Sequence, residues 1–154
     1  MVLGLCFGLA TSAMAAADSD TVTVTASEVD LLEVTETTAI TLTATAPGAT
    51  AYTQGTATDT GGLKYSHNSA TNKKITATAT GTPATNDITL KVQIGEENAG
   101  TLVDAGEDQS NVELWTGIAA GGYTKDLIWT ADGTLANTLA GSYIWTVTFT
   151  SADV

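Results

Sequence analysis

The chain has 154 residues and a formal net charge of −12, because 17 acidic residues face only 5 basic ones. All the basic residues are lysines, so the chain lacks the cationic surface that binds phosphates, and neither nucleic acid nor an anionic membrane is an expected partner. Threonine makes up about a fifth of the chain, and only 14% of residues are charged. Since threonine is β-branched and suits a pleated surface, this composition predicts an all-β fold.

Residues 1–17 have the pattern of a signal peptide. An apolar run is followed by small residues, and "AMA" at 13–15 matches the A-x-A form of a signal-peptidase site. The apolar run is too short to span a bilayer. We therefore predict a cleaved leader over 1–17 and a single mature domain over 18–154. The domain would be secreted, extracellular or at the cell surface, without membrane insertion after cleavage. The one cysteine, Cys6, lies in this leader, so no disulfide is expected in the mature domain.

The stretch "TVTVTASEVDLLEV" at 21–34 alternates threonine with aliphatic residues. Alternation with a period of two is typical of a strand with one buried face. The phase breaks at Ser27 and Glu28, which indicates either a bulge or a strand that leaves one sheet and joins another. Alternation resumes over 40–46 and ends at Pro47, so a further strand is predicted there.

Turn-forming stretches then separate the remaining strand patterns. "DTGG", "HNSATNK" and "GTPATND" flank "LKYS", "KITATAT" and "DITLKVQI", and three aromatic-rich strands follow as "VELWTGI", "YTKDLIWTA" and "SYIWTVTFT". The best helical candidate, 133–140, is short. Short strands with turns about every 8–12 residues predict an antiparallel β-sandwich of about 7–9 strands with Ig-like or Greek-key wiring. The predicted core comprises Trp115, Trp129, Trp145, Tyr143, Phe149, Ile88, Leu90 and Val92.

The side chains that catalysis needs are sparse. His67 is the only histidine, and its Ser- and Asn-rich surroundings indicate a solvated turn residue. No G-x-S-x-G stretch offers a serine nucleophile. Neighbouring loop carboxylates more often repel each other and stay hydrated than form a glycosidase pair. We therefore expect a protein that is not an enzyme and that needs no cofactor, with Ca²⁺ as the one open alternative.

Calcium is the sharpest metal hypothesis, and it rests on "GEENAGTLVDAGEDQSN" at 95–111. Hard oxygen ligands on a flexible loop suit Ca²⁺, although the spacing matches no EF-hand loop. A solvated acidic loop is the alternative interpretation of the same pattern. The candidate ligands are Glu96, Glu97, Asp104, Glu107 and Asp108.

Two partial resemblances favour a surface or fibre protein. "LAGSYIWTVTFTSADV" at 139–154 resembles the closing strand of bacterial surface and fimbrial β-sandwiches, and is similar to the ends of WxL cell-wall-binding domains and spore-coat-U-type pilus subunits. A leader followed at once by a Thr/Val strand resembles secreted bacterial or archaeal fibre and pilus subunits that polymerise by donor-strand exchange. This second resemblance implies a strand that completes a neighbour's sheet. Its inserted residues would be Val22, Val24 and Ala26, continuing to Val29 and Leu31.

The sequence thus predicts a self-assembling structural subunit of an extracellular filament, pilus or biofilm-matrix fibre. The alternative is a non-polymerising surface module that binds a glycan, cell wall or protein partner. The two hypotheses make different predictions for residues 21–26. If this strand is donated to a neighbour, the sandwich must lack a strand and have an open apolar groove.

Overall fold

The computed structural model describes residues 23–35, 39–44, 46–81 and 86–154. This part of the chain contains nine β-strands and no helix. In chain order the strands are β1 Asp30–Val34, β2 Gly55–His67, β3 Lys73–Gly81, β4 Thr89–Ile94, β5 Gly100–Asp104, β6 Glu107–Asp108, β7 Val112–Ile118, β8 Gly121–Asp132 and β9 Trp145–Asp153.

The strands form two antiparallel sheets that pack face to face. The large sheet has the order β1-β2-β8-β4-β5-β6, and the small sheet has the order β7-β3-β9. Strands β4, β5 and β6 are neighbours in sequence and in space, and β8 returns to lie beside β4 after the chain has crossed to the small sheet as β7. Such a return beside the first strand of a meander is Greek-key wiring. The predicted antiparallel β-sandwich is confirmed.

Strand β3 shows how the Thr/aliphatic pattern produces this fold. Ile75, Ala77 and Ala79 are buried between the sheets, and the threonines between them lie on the other face. β4 repeats the pattern with Val92 and Ile94, which are fully buried. Period-two alternation therefore places one apolar row from each strand in a shared core.

The predicted core is confirmed in part. Trp115, Trp129, Ile88, Leu90 and Val92 are buried. The other three predicted members, Tyr143, Trp145 and Phe149, are only half-buried. They belong to or precede β9, which is an edge strand of the small sheet, and an edge strand has a neighbour on one side only.

On one side of the sandwich, a continuous stretch of chain connects the two sheets. After β6 the backbone runs along β3, where Ala79 N donates to Gln109 O over 3.0 Å and Asn111 N donates to Thr78 Oγ1 over 3.0 Å. The same stretch continues as β7, which pairs with β3. Residues 107–118 thus pass from the large sheet to the small one and close this side.

Two local expectations about strands were wrong. "DTGG" does not end a strand, because it forms a bulge inside β2 between Asp59 and Leu63, with Gly61 at a φ of 65°. Residues 133–140, the best helical candidate by sequence, form only one turn, closed by Thr138 N donating to Thr134 O, in agreement with the all-β prediction. Within 40–46, the described residues contribute an isolated bridge between Thr43 and Thr53 in place of a full strand.

We expect Leu102→Ala to lower the free energy of unfolding by about 2–5 kcal/mol, because it empties a fully buried site between the sheets. Leu139→Ala is the matched control, since Leu139 is 69% exposed, and it should change stability by no more than about 0.5 kcal/mol. Urea unfolding of dilute protein measures both. Equal losses in the two variants would contradict the assigned core.

Candidate functional site

The main open feature of the described structure is a groove of about 1230 Å³ between the two sheets. It lies on the side opposite residues 107–118, next to β9. Among the described strands, β9 pairs with β3 and none pairs with its other edge. An unpaired edge exposes a row of backbone N–H and C=O groups, so the groove combines an apolar space with a strand-binding edge.

The groove takes its floor from the large sheet and its walls from two extended segments. Leu90, Trp129 and Ala131 of β4 and β8 form the floor. One wall is the segment 39–42, whose side chains of Ile40 and Leu42 are half-buried. The other wall is β9, which contributes Trp145, Val147 and Phe149. These three alternate with exposed threonines, so the strand period turns the apolar row inward.

Among the described residues that line the groove, none has a charged side chain, although the whole chain has a net charge of −12. Its residues are aliphatic, aromatic, threonine, serine and glycine. A surface depleted of charge and rich in aromatic residues is typical of the core of a protein interface. The groove therefore suits an uncharged, partly apolar occupant.

Trp145 is fixed at one end of this groove. Its indole Nε1 donates to Asp108 Oδ1 over 3.0 Å, and the other oxygen of that carboxylate accepts from Gly81 N over 2.8 Å. The ring lies so close to Gly81 that a Cβ there would be 2.1 Å from Cδ1 of the indole. A glycine is required at this strand end, because any side chain would displace the tryptophan that lines the groove.

Trp129 adds a polar group to the apolar floor. The residue is 4% exposed and packs edge-to-face on Phe149, with ring centroids 6.2 Å apart. Its indole Nε1 is buried and has no hydrogen-bond partner in the described part of the chain. A buried donor without an acceptor is costly to the folded state.

The turn after β8 is held beside the groove by Asp87. Its carboxylate accepts from the backbone N of Thr134 over 2.9 Å and from the hydroxyls of Thr134 and Thr138. These threonine hydrogen bonds lower the pKa of Asp87 from 3.8 to about 2. Thr138 also lines the groove, and its carbonyl accepts from the Tyr52 hydroxyl.

The other end of the groove is closed by a charged cluster, which we call the clasp: Lys73, Asp30, Asp153, Glu28 and Ser151. The Lys73 side chain is 8% exposed, and its Nζ lies 2.8 Å from Asp153 Oδ1, 3.5 Å from Asp30 Oδ2 and 4.0 Å from Glu28 Oε1. The Ser151 hydroxyl donates to the Asp30 carboxylate over 2.9 Å. Asp30 begins β1 and Asp153 ends β9, so the clasp joins the edges of the two sheets.

The pKa values of the clasp follow from this arrangement. The hydrogen bond with Asp153 raises the pKa of Lys73 above 10.5, against the opposing effect of desolvation. Desolvation raises the pKa of Asp30, but the hydrogen bond from Ser151 and the charge of Lys73 outweigh it and bring that pKa below 3.8. Both groups are therefore held in their charged forms at neutral pH. The burial of Lys73 has a signal in the sequence, because in "KKITATATG" it shares the inward phase of Ile75 and Ala77.

The segment before β1 leaves the body of the domain at the clasp. Asn68 holds its base: the side chain accepts from Val29 N over 2.7 Å and donates to Ser27 O over 2.7 Å, and Asn68 N donates to Val29 O. The described residues before this point, 23–26, lie outside the strands and are exposed, with Val24 at 87%.

The residues proposed from sequence for a polymerisation strand thus form two groups, one before Ser27 and one after it. Leu31 belongs to β1, where it pairs with Ser66, and Val29 is fastened by Asn68. The break in alternation at Ser27 and Glu28 does separate a domain strand from the segment ahead of it. Val24 and Ala26 remain exposed, and Val22 lies outside the described residues, as does the predicted leader over 1–17.

The candidate calcium ligands lie at two different turns. Glu96 and Glu97 lie in the turn between β4 and β5, whereas Asp104 and Glu107 face each other in the β5–β6 hairpin. The five residues of β5 separate the turns by about 14 Å at a strand's rise per residue. Asp108 binds Trp145 and Gly81, as described above. No group of three or more His, Cys, Asp or Glu side chains able to hold a metal ion was found in the described ranges. Calcium binding stays a prediction.

The expectation for His67 was wrong. It is the last residue of β2 and is 3% exposed, because the strand continues in phase through Leu63 and Tyr65 to this residue and the turn begins after it. The ring stacks on Tyr65 at a centroid distance of 5.4 Å, and Nε2 lies 3.1 Å from Ile118 O. His67 is therefore part of the packed interior.

Comparisons with protein-family models, curated proteins and solved structures found no match for this chain. In the ranges that the structure describes, no helix has the length and apolar character needed to cross a membrane.

Lys73→Met should lower the urea midpoint of unfolding far more than Lys64→Met. Loss of Lys73 leaves Asp30 and Asp153 without their shared cation, and Asp30, whose side chain is only 30% exposed, then carries an unpaired charge that is partly shielded from water. Lys64 pairs with Glu33 at 2.9 Å, but both side chains are more than half exposed, and such pairs contribute little. Similar midpoints for the two variants would contradict the clasp.

Asp87→Asn should destabilise the protein at neutral pH and much less in acid. Because its folded pKa is about 2, Asp87 contributes stability that is fully present above about pH 4 and is lost as the pH falls towards 2. The difference in melting temperature between parent and variant should therefore shrink between pH 4 and pH 2. A difference that stays constant over this range would contradict the role given to Asp87.

Proposed function

We propose that this protein is a structural subunit of an extracellular filament, pilus or matrix fibre that assembles by β-strand complementation. The observation that carries the proposal is the uncharged groove along the unpaired edge of β9. Residues 23–26, directly ahead of Ser27, are uncharged and exposed. The groove would accept this segment from a second copy.

The backbone supplies the affinity in this mode of binding. An extended segment that adds to a sheet edge satisfies the unpaired N–H and C=O groups of that edge, and alternate side chains fill pockets beneath. β9 offers such an edge, with its apolar row turned towards the floor at Leu90 and Trp129. Residues 21–26 alternate threonine with Val22, Val24 and Ala26, which fits this geometry.

Side-chain burial determines which face of the inserted segment turns inward. The valines would face the floor and the threonines would face solvent, as the apolar residues and the threonines do on β3 and β9. Full burial of one valine side chain is worth about 1.5–3 kcal/mol. A segment with the opposite faces inward would bury threonine hydroxyls in an apolar groove, where each needs a hydrogen-bond partner.

The proposed role is structural, not catalytic, and its setting is extracellular. It agrees with the resemblance of the leader and first strand to secreted fibre subunits. The lack of a cationic surface also favours assembly with other copies over binding to nucleic acid.

A non-polymerising glycan-binding module is the second candidate. The rings of Tyr143 and Trp145 are nearly parallel, with an interplanar angle of 18° and centroids 6.4 Å apart. Two stacked aromatic faces at the edge of a groove suit the apolar face of a sugar ring. The two functions are distinguished by the state of the protein in solution.

The test compares Val24→Asp with Thr25→Asp, which place the same charge on opposite faces of the exposed segment. Val24→Asp should weaken self-association at least tenfold, since it puts a carboxylate against the uncharged floor. Thr25→Asp should assemble like the parent, because its side chain would face solvent. Size-exclusion chromatography with light scattering and electron microscopy of the two purified proteins measure this.

A parent protein that stays monomeric at high concentration would contradict the filament. Filaments formed equally by the parent and by Val24→Asp would contradict strand complementation by this segment.

A further inference from the structure

The two ends of the groove differ, and this difference gives the assembly a direction. At the clasp, the Asp30–Ser151 hydrogen bond and the Lys73 ion pairs join β1 to β9 and block the groove. At the other end, which we call the mouth, the groove is bordered by Trp145 and by residues 138–144, which belong to no strand. The part of β9 that borders the groove is 145–149.

The segment that would be donated leaves its own domain at the clasp, because Asn68 fastens Ser27 and Val29 beside the start of β1. Only one peptide bond separates Ala26 from the fastened Ser27. The body of the donor must therefore lie next to the place where its Ala26 lies in the acceptor groove. The clasp end of the acceptor is closed, so that place is the mouth.

Resting on the proposed function, we infer that the donated strand runs antiparallel to β9, with Ala26 at the mouth and the preceding residues pointing towards the clasp of the acceptor. β9 runs from the mouth at Trp145 towards the clasp at Asp153. A strand whose residue numbers rise towards the mouth is antiparallel to it. The added strand would make the small sheet four-stranded, with every pair antiparallel.

The lengths of the two segments agree. The five residues 145–149 span about 14 Å, and the six residues 21–26 span about 17 Å when extended. Insertion beyond this length would bring the donated segment against the Asp30–Ser151 contact. The clasp therefore sets how far the strand enters, and so sets its register.

The exposed apolar side chains outside the donated segment lie at the same two ends. Leu139 and Ile144, at the mouth, are 69% and 72% exposed. Leu31 and Val154, at the clasp end, are each 67% exposed. When the clasp end of a donor meets the mouth of an acceptor, these two apolar patches come together and leave water.

Such an interface is heterologous, because the mouth of one copy meets the clasp end of the next. The assembly then has a free groove on the copy at one end and a free segment on the copy at the other end. Head-to-tail contacts of this kind make open filaments unless the rotation between subunits closes a ring.

Intermolecular disulfide mapping tests the direction. Single-cysteine chains are made in a Cys6→Ser background: Thr23→Cys or Thr25→Cys on the segment, and Thr146→Cys, Thr148→Cys or Thr150→Cys on the solvent face of β9. Each segment variant is mixed with each β9 variant during assembly and then oxidised, and mass spectrometry identifies the cross-linked peptides. Thr124→Cys, on an exposed position of β8, is the control that should form no cross-link with the segment.

If the donated strand is antiparallel to β9, moving its cysteine from position 23 to position 25 should move the preferred cross-linked residue of β9 by two positions towards Trp145. A shift towards Asp153 means a parallel strand and overturns the inference. Filaments without a cross-link in any of the six mixtures overturn the inference but leave a fibre subunit. Monomers throughout overturn the proposed function itself.

Discussion

The apolar inner face of the large sheet must be covered, and the small sheet has only three strands with which to cover six. On one side the chain solves the problem itself, because 107–118 passes from β6 to β7 along β3. On the other side Leu90, Trp129 and Ala131 lie beneath a groove that the described residues leave open. Apolar surface and an unpaired strand edge in one place favour association, and the groove follows from this inequality of the sheets.

The clasp makes the two ends of the groove different. One ammonium group, on Lys73, holds carboxylates from both sheet edges, and the pKa shifts of Lys73 and Asp30 keep the pairs charged at neutral pH. The cluster closes the sandwich at the same end where Asn68 fastens the exposed segment. In the described part of the chain, the clasp closes one end of the groove and the exposed segment leaves the domain there, so the mouth is the end at which a strand can approach along β9. The direction of assembly is thus a consequence of where one buried lysine lies.

The sequence was enough to predict most of the strands, because strand formation here depends on local alternation. "VELWTGI" is β7, and the alternation in "DITLKVQI" places Val92 and Ile94 inward. The sandwich itself followed from the spacing of turns. Burial at strand ends was harder to predict, as His67 shows: its polar neighbours indicated a turn, whereas the inward phase of β2 extends through it.

The groove was beyond sequence reasoning for a different reason. No local pattern in "SYIWTVTFT" indicates that β9 pairs on one edge only, because pairing depends on which distant strands become neighbours. Lys73 was missed because it was assigned to the turn-forming stretch "HNSATNK", whereas it is the first residue of β3 and shares the inward phase of that strand. The candidate site is formed by long-range pairing between segments as distant as Asp30 and Ser151.

Hydrogen exchange of β9 amides is the most direct measurement of strand complementation. Assembled parent protein and dilute Val24→Asp protein are compared over 145–149. Complementation predicts at least about tenfold slower exchange for alternate amides of this segment in the assembled state, with the amides of β4 unchanged. Equal exchange over 145–149 in the two states, with filaments present in the parent sample, would contradict it.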